Sequence, residues 1–177
     1  MGRDKALLPF RDSTLLGNAL SVARTVTPDV HVLSGPSRRY EDFGAPVVTD
    51  EVCGAGPIAG LHTALLSSSL DRVERVFWLA VDVPFVPAST LRDLVTHLEG
   101  TDVAIARTER GVEPLCAAFR VEPCLAAVKR ALASGRLKLT DALAGLSVRE
   151  VPQDAALFAN VNTVDEFERL TRSESRA

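Results

Sequence analysis

The run Arg75-Val76-Phe77-Trp78-Leu79-Ala80-Val81 constrains this chain more than any other stretch. It is nearly continuous in apolar residues and rich in β-branched and aromatic side chains, as expected of a strand covered on both faces. Around it, short apolar runs alternate with longer amphipathic segments. Ser13 or Thr14 can cap a helix to about Thr25, with Leu15, Leu16, Ala19, Leu20 and Val22 as its apolar stripe. Val30 to Leu33 and Pro46 to Thr49 read as short strands. Pro57 suits the first turn of a helix through Leu66, where its missing N–H is not needed. A helix from Ala88 to Leu98 ends at Gly100. Asp102 to Ala106 and Pro114 to Phe119 read as strands joined by the polar turn Arg107 to Gly111. Glu122 to Ala133 reads as a helix, and Ser147 to Val151 as a last strand. The Thr163/Glu166 spacing of a capping box opens a final helix to about Leu170.

This alternation predicts an α/β, Rossmann-like fold with a mostly parallel sheet and helices on both faces. With no internal repeat or linker, residues 1–170 are expected to form one domain, and 171–177 a polar tail. Ligands of such sheets bind beyond the carboxyl ends of the strands, so residues just after strands carry the functional interest.

Charge excludes some functions. A formal net charge of -3 gives no support to a sequence-independent grip on nucleic acid. No apolar run approaches the ~20 residues of a membrane span, and the charged start at Arg3, Asp4 and Lys5 is unlike a secretory signal. Cys53, Cys116 and Cys124 are odd in number and widely spaced, which fits a reduced, cytoplasmic setting. His31, His62 and His97 sit at no zinc-ligand spacing.

Four strings remain. Lys5, in Gly2-Arg3-Asp4-Lys5, sets an ammonium beside flexible backbone, where it could offset the charge of a triphosphate. Taken alone it reads as a solvated surface lysine. Asp82 follows the strongest strand and precedes Val83-Pro84. Magnesium usually takes only one or two protein carboxylates, so a single well-placed Asp suffices, although an Asp before Pro also starts turns. Asp50 follows a strand and leads through Gly54, Gly56 and Pro57 to Gly60. Glycines there would allow close approach of backbone to a ligand, and a plain βα connection is the alternative. In Asn160-Val161-Asn162-Thr163 two amides flank an apolar residue and can reach one polar ligand, or Asn162 can simply cap the next helix.

Together these strings, in order D-K-A-L-L, D then G-P-I-A-G, V-D-V-P and N-V-N-T, resemble the molybdenum cofactor guanylyltransferase family. That family's signature reads roughly L-A-G-G-x-S-x-R-M-G-x-D-K, and Met1-Gly2-Arg3-Asp4-Lys5 matches its second half. The resemblance implies a nucleotide-diphospho-sugar transferase type of fold whose first strand and Gly-rich loop are missing from the chain as written. It implies that Lys5 binds nucleotide phosphates, Asp50 contacts the nucleotide, and Asp82 binds nucleotide and holds Mg2+. Gly56, Pro57, Gly60, Asn160 and Asn162 would then serve the substrate, the two asparagines at the pterin end. Ser34 stands where the family often has an Asn contacting nucleotide, so that contact is not carried over.

The implied reaction is transfer of GMP from GTP to molybdopterin-bound molybdenum, with Lys5 and Asp82 catalytic. Expected partners are GTP, the molybdopterin cofactor, molybdenum-insertion proteins and apo-molybdoenzymes, with no nucleic acid or membrane. The alternatives are a related nucleotidyltransferase using CTP or another phosphate acceptor, and a non-catalytic cofactor-binding protein. Lacking the first strand, the chain is expected to be a weak enzyme of low stability, improved by an added strand and L-A-G-G loop.

Overall fold

The computed structural model describes residues 4–52 and 54–161. The chain opens with a 3-10 turn, Lys5–Leu7. A small hairpin follows, β1 Pro9–Phe10 and β2 Ser13–Thr14, leading into α1 Leu15–Arg24. The Thr14 hydroxyl caps that helix by accepting from the Gly17 N–H. Next come β3 Val32–Leu33, β4 Val47–Val48, α2 Pro57–Leu70 and β5 Arg75–Leu79. The second half holds α3 Ala88–His97, β6 Val103–Thr108, β7 Gly111–Arg120, α4 Val121–Ala133, α5 Leu139–Ala142 and β8 Val148–Pro152.

The α/β, Rossmann-like class stands, with helices on both faces. The sheet is mixed. Pairing is parallel at β3–β4 and β6–β8, and antiparallel where β7 lies between β5 and β6. The reason is local: β6 and β7 are joined by the tight Glu109-Arg110 turn, and a hairpin must be antiparallel. The period of two along these strands divides the core. Val103, Ile105, Ala117 and Phe119 pack with Ile58, Leu61 and Leu65 of α2 and with Val128 of α4. Ala104, Ala106, Cys116 and Ala118 point the other way, onto Leu91, Leu94 and Leu98 of α3.

The β5 strand is covered on both faces as expected, Val76 and Trp78 packing on the α2 and α4 side and Phe77 and Leu79 on the α3 side, but all four are only partly buried. Among the described residues β5 pairs with β7 alone, and no ladder joins it to β3, which pairs with β4. The helix after Pro57 runs on past its expected end to Leu70, where the N–H groups of Asp71, Arg72 and Val73 close on the carbonyls of Ser67, Ser69 and Ser68. The helix expected after Thr163, and the tail, lie outside the described residues, as does Asn162.

Candidate functional site

Lys5 is placed by its own turn. The Asp4 carboxylate accepts from the Ala6 N–H, and the N–H groups of Leu7 and Leu8 close on the carbonyls of Asp4 and Lys5. Ala6 is buried against Leu16, Leu20 and Val32, so the backbone is anchored while the Lys5 side chain stays free to reach outward. Its ammonium donates to Asp82 Oδ2 at 2.9 Å. The two side chains are 38% and 25% exposed, so the pair is open enough to be exchanged for a ligand.

Asp82 lies just past the end of β5, on a turn held from two sides. The Val161 N–H donates to the Asp82 carbonyl at 2.9 Å, and the Asn18 amide donates to the Pro84 carbonyl at 3.0 Å. Val161 is fully buried with Leu8, Phe10 and Leu15. Its neighbour Asn160 is exposed beside that turn. Segments distant in sequence, around residues 5, 82 and 160, are therefore brought together.

A second group lines a cleft of about 320 Å³. Leu33, Gly35 and Pro36 form one wall, Gly54, Gly56, Pro57 and Gly60 another, and Trp78 and Asp50 complete it. Gly56 sits at the mouth of α2 with φ 67 and ψ -149, backbone that only glycine adopts readily. Pro57 opens the helix, as its sequence position predicts. Gly60 is needed for a different reason: a Cβ there would come within 2.9 Å of the Trp78 ring and 3.6 Å of Asp50 Oδ1. The Asp50 Oδ1 is buried with no hydrogen-bond partner, and burial pushes the carboxyl above the usual range. A buried acceptor without a donor is held at a cost, and a ligand N–H or O–H would relieve it.

The 34–40 loop links the two groups. Gly35 and Pro36 line the cleft, and the Gly35 carbonyl accepts from the Asp50 N–H at 2.8 Å. At the loop's far end Tyr40 and Arg39 reach Asp4. Ser34 spends its hydroxyl on the Ser37 carbonyl at 2.9 Å, inside the loop.

Residues 1–150 match the model of the MobA-like NTP transferase domain. The chain belongs to that family. A molybdenum cofactor guanylyltransferase of Cupriavidus metallidurans is 31% identical, with 99% of this chain and 89% of that protein covered. Another, from Rhizobium johnstonii, is 31% identical over 97% of this chain and 86% of its own length. Among solved structures, the molybdopterin-guanine dinucleotide biosynthesis protein A of Archaeoglobus fulgidus superposes with a TM-score of 0.73 at 25% identity, covering 99% of this chain and 93% of its own. A Mycobacterium tuberculosis protein solved in complex with manganese gives 0.70 at 25% identity, covering 97% and 93%. The MobA-like chain is thus a nucleotidyltransferase.

No cluster of three or more metal-ligating side chains exists among the described residues. Asp82 presents one oxygen engaged by the Lys5 ammonium and a second with no hydrogen bond among the described residues. Such a carboxylate suits a hard cation whose other ligands are phosphate and water. The two described cysteines do not suit nucleophilic work: burial pushes both Cys116 and Cys124 up to about 12, leaving inert thiols. Arg39, Tyr40 and Trp78 were not anticipated as site residues. Trp78 reads in sequence as strand core, and only its place opposite Gly60 reveals the cleft.

Proposed function

We propose that this MobA-like protein transfers GMP from GTP to a molybdopterin phosphate, releasing diphosphate. The observation that carries the reading is the Lys5–Asp82 pair just past the end of β5, linked through the 34–40 loop to a glycine-lined cleft with an unsatisfied Asp50 oxygen. It is supported by relatives named molybdenum cofactor guanylyltransferase. In the reaction an acceptor phosphate oxygen, already ionised at neutral pH, attacks the α-phosphorus of GTP. The new O–P bond forms as the bond to the bridging oxygen breaks, and diphosphate leaves with that electron pair.

No side-chain nucleophile is required, so the chain's residues serve alignment and charge balance. Lys5 leaves Asp82 for the triphosphate and offsets charge as it gathers on the leaving group. The Asp82 carboxylate would hold a divalent cation such as Mg2+, which would supply charge neutralisation at the phosphates. Asp50 accepts from the nucleoside, and Gly56 leaves the cleft open to it. Asn160 and Asn162 serve the pterin end of the acceptor.

A thermal-shift panel of nucleotides tests this. GTP with magnesium is expected to raise the melting temperature, by the mass action of a ligand that binds only the folded state, and CTP and ATP to raise it less. A larger shift with CTP would assign the chain to cytidylyl transfer, and no shift with any triphosphate would remove the nucleotide reading altogether.

A further inference from the structure

The Asp4 carboxylate receives an unusual number of donors for a residue not itself placed in the chemistry. The Tyr40 hydroxyl donates to both of its oxygens, at 2.7 and 3.0 Å. An Arg39 guanidinium nitrogen donates to Oδ2 at 3.0 Å, and the Ala6 N–H donates to Oδ1 at 3.1 Å. The last of these bonds is the cap of the turn that carries Lys5. A second Arg39 nitrogen donates to the Ser34 carbonyl at 3.1 Å, bracing the loop across its own neck.

Tyr40 adopts this place at φ 71, in the left-handed region that a bulky side chain enters only when its surroundings over-determine it. Those surroundings are visible. Its ring meets Phe43 edge-on with centroids 6.3 Å apart, and the Arg39 guanidinium lies 5.0 Å from the ring centroid. Burial, with the Asp4 carboxylate second, pushes the phenol up to about 12, so it stays protonated and donates at any physiological pH.

We infer that Arg39 and Tyr40 are positioning residues for Lys5, clamping Asp4 so that the capped turn aims the ammonium at the phosphate end of the site. This rests on the reading of Lys5 as the triphosphate-binding cation. A lysine side chain has many rotamers, and the order it must give up on binding is smaller when its backbone is already fixed. The loop that supplies the clamp also lines the cleft through Gly35 and Pro36. A nucleoside seated there packs against the same loop that fixes the lysine, so the two ends of one nucleotide are registered by one segment.

Calorimetric titration of GTP and of guanosine into wild type, Tyr40→Phe, Lys5→Ala and the double variant tests the clamp, with Arg39→Lys as the conservative partner of Arg39→Gln. Tyr40→Phe keeps the ring and removes only the donor. It is expected to weaken GTP about 3- to 10-fold, leave guanosine unchanged, and have no further effect once Lys5 is gone. Arg39→Gln should behave likewise, and Arg39→Lys should recover most of the loss. Equal weakening of GTP and guanosine, or an undiminished Tyr40→Phe effect in the Lys5→Ala background, would overturn the clamp. If Lys5→Ala itself leaves GTP affinity intact, the phosphate reading of Lys5 fails and the clamp with it. If Lys5→Ala weakens GTP while Tyr40→Phe does not, the clamp alone fails.

Discussion

At the scale of single residues, the site holds polar groups in places that folding alone would not choose. Asp50 keeps one buried oxygen without a donor, and its carboxyl is raised by burial. The sign follows: the folded state holds that proton more tightly than the unfolded chain, so ionising Asp50 at neutral pH subtracts from stability, and protonation as pH falls gives it back. Asp50→Asn should therefore leave the free protein as stable as wild type at neutral pH, or more so. It should weaken GTP by about 1.5–3 kcal/mol, the range for a hydrogen bond to a charged group. Denaturant melts and titrations of the one variant check both halves. Tyr40 gives the opposite case. As the chain's single tyrosine, it can be followed alone by tyrosinate absorbance. With its phenol raised to about 12, its contribution is fully present below pH ~10, the ordinary phenol value, and is lost as pH rises through about 12. Tyr40→Phe should thus be less stable by about 1 kcal/mol up to pH ~10, the difference closing above it. A phenol titrating near its ordinary value would remove the Asp4 bond from solution.

At the scale of elements, much was legible. Thr14 as cap, Pro57 at a helix start and Asp82 after the apolar strand all follow from local rules that the structure keeps, because each depends on near neighbours in sequence. What failed to show depended on distant partners. Nothing around Arg39 and Tyr40 signals that Asp4 lies across from them, since that contact spans 36 residues. The partial exposure of β5 also depends on what lies next to it, and periodicity cannot report a neighbour. Among the described residues β5 pairs only with β7 and β3 only with β4, and a free apolar edge is the sort that invites a further strand. Gly60→Ala bears on the same region: its Cβ would press on Trp78, a stiff ring, and should lower both stability and nucleotide affinity, overpacking costing about 1–3 kcal/mol.

At the scale of the whole molecule, a divided core carries the site. One apolar cluster fixes α2 and α4 on the four-stranded sheet, the other fixes α3, and strand ends between them present Asp82 toward the turn of Lys5. Rigid packing thereby holds one charged group, and a short capped turn holds the other. The most direct test is acceptor-dependent release of diphosphate from GTP with magnesium, using the protein, its Asp82→Asn variant and molybdenum-loaded molybdopterin. We expect release that requires the acceptor, exceeds that from CTP, and falls at least ~100-fold in Asp82→Asn, in line with the loss of a main electrostatic stabiliser. Near-normal guanylyl transfer by Asp82→Asn at ordinary magnesium would contradict the assignment of the site.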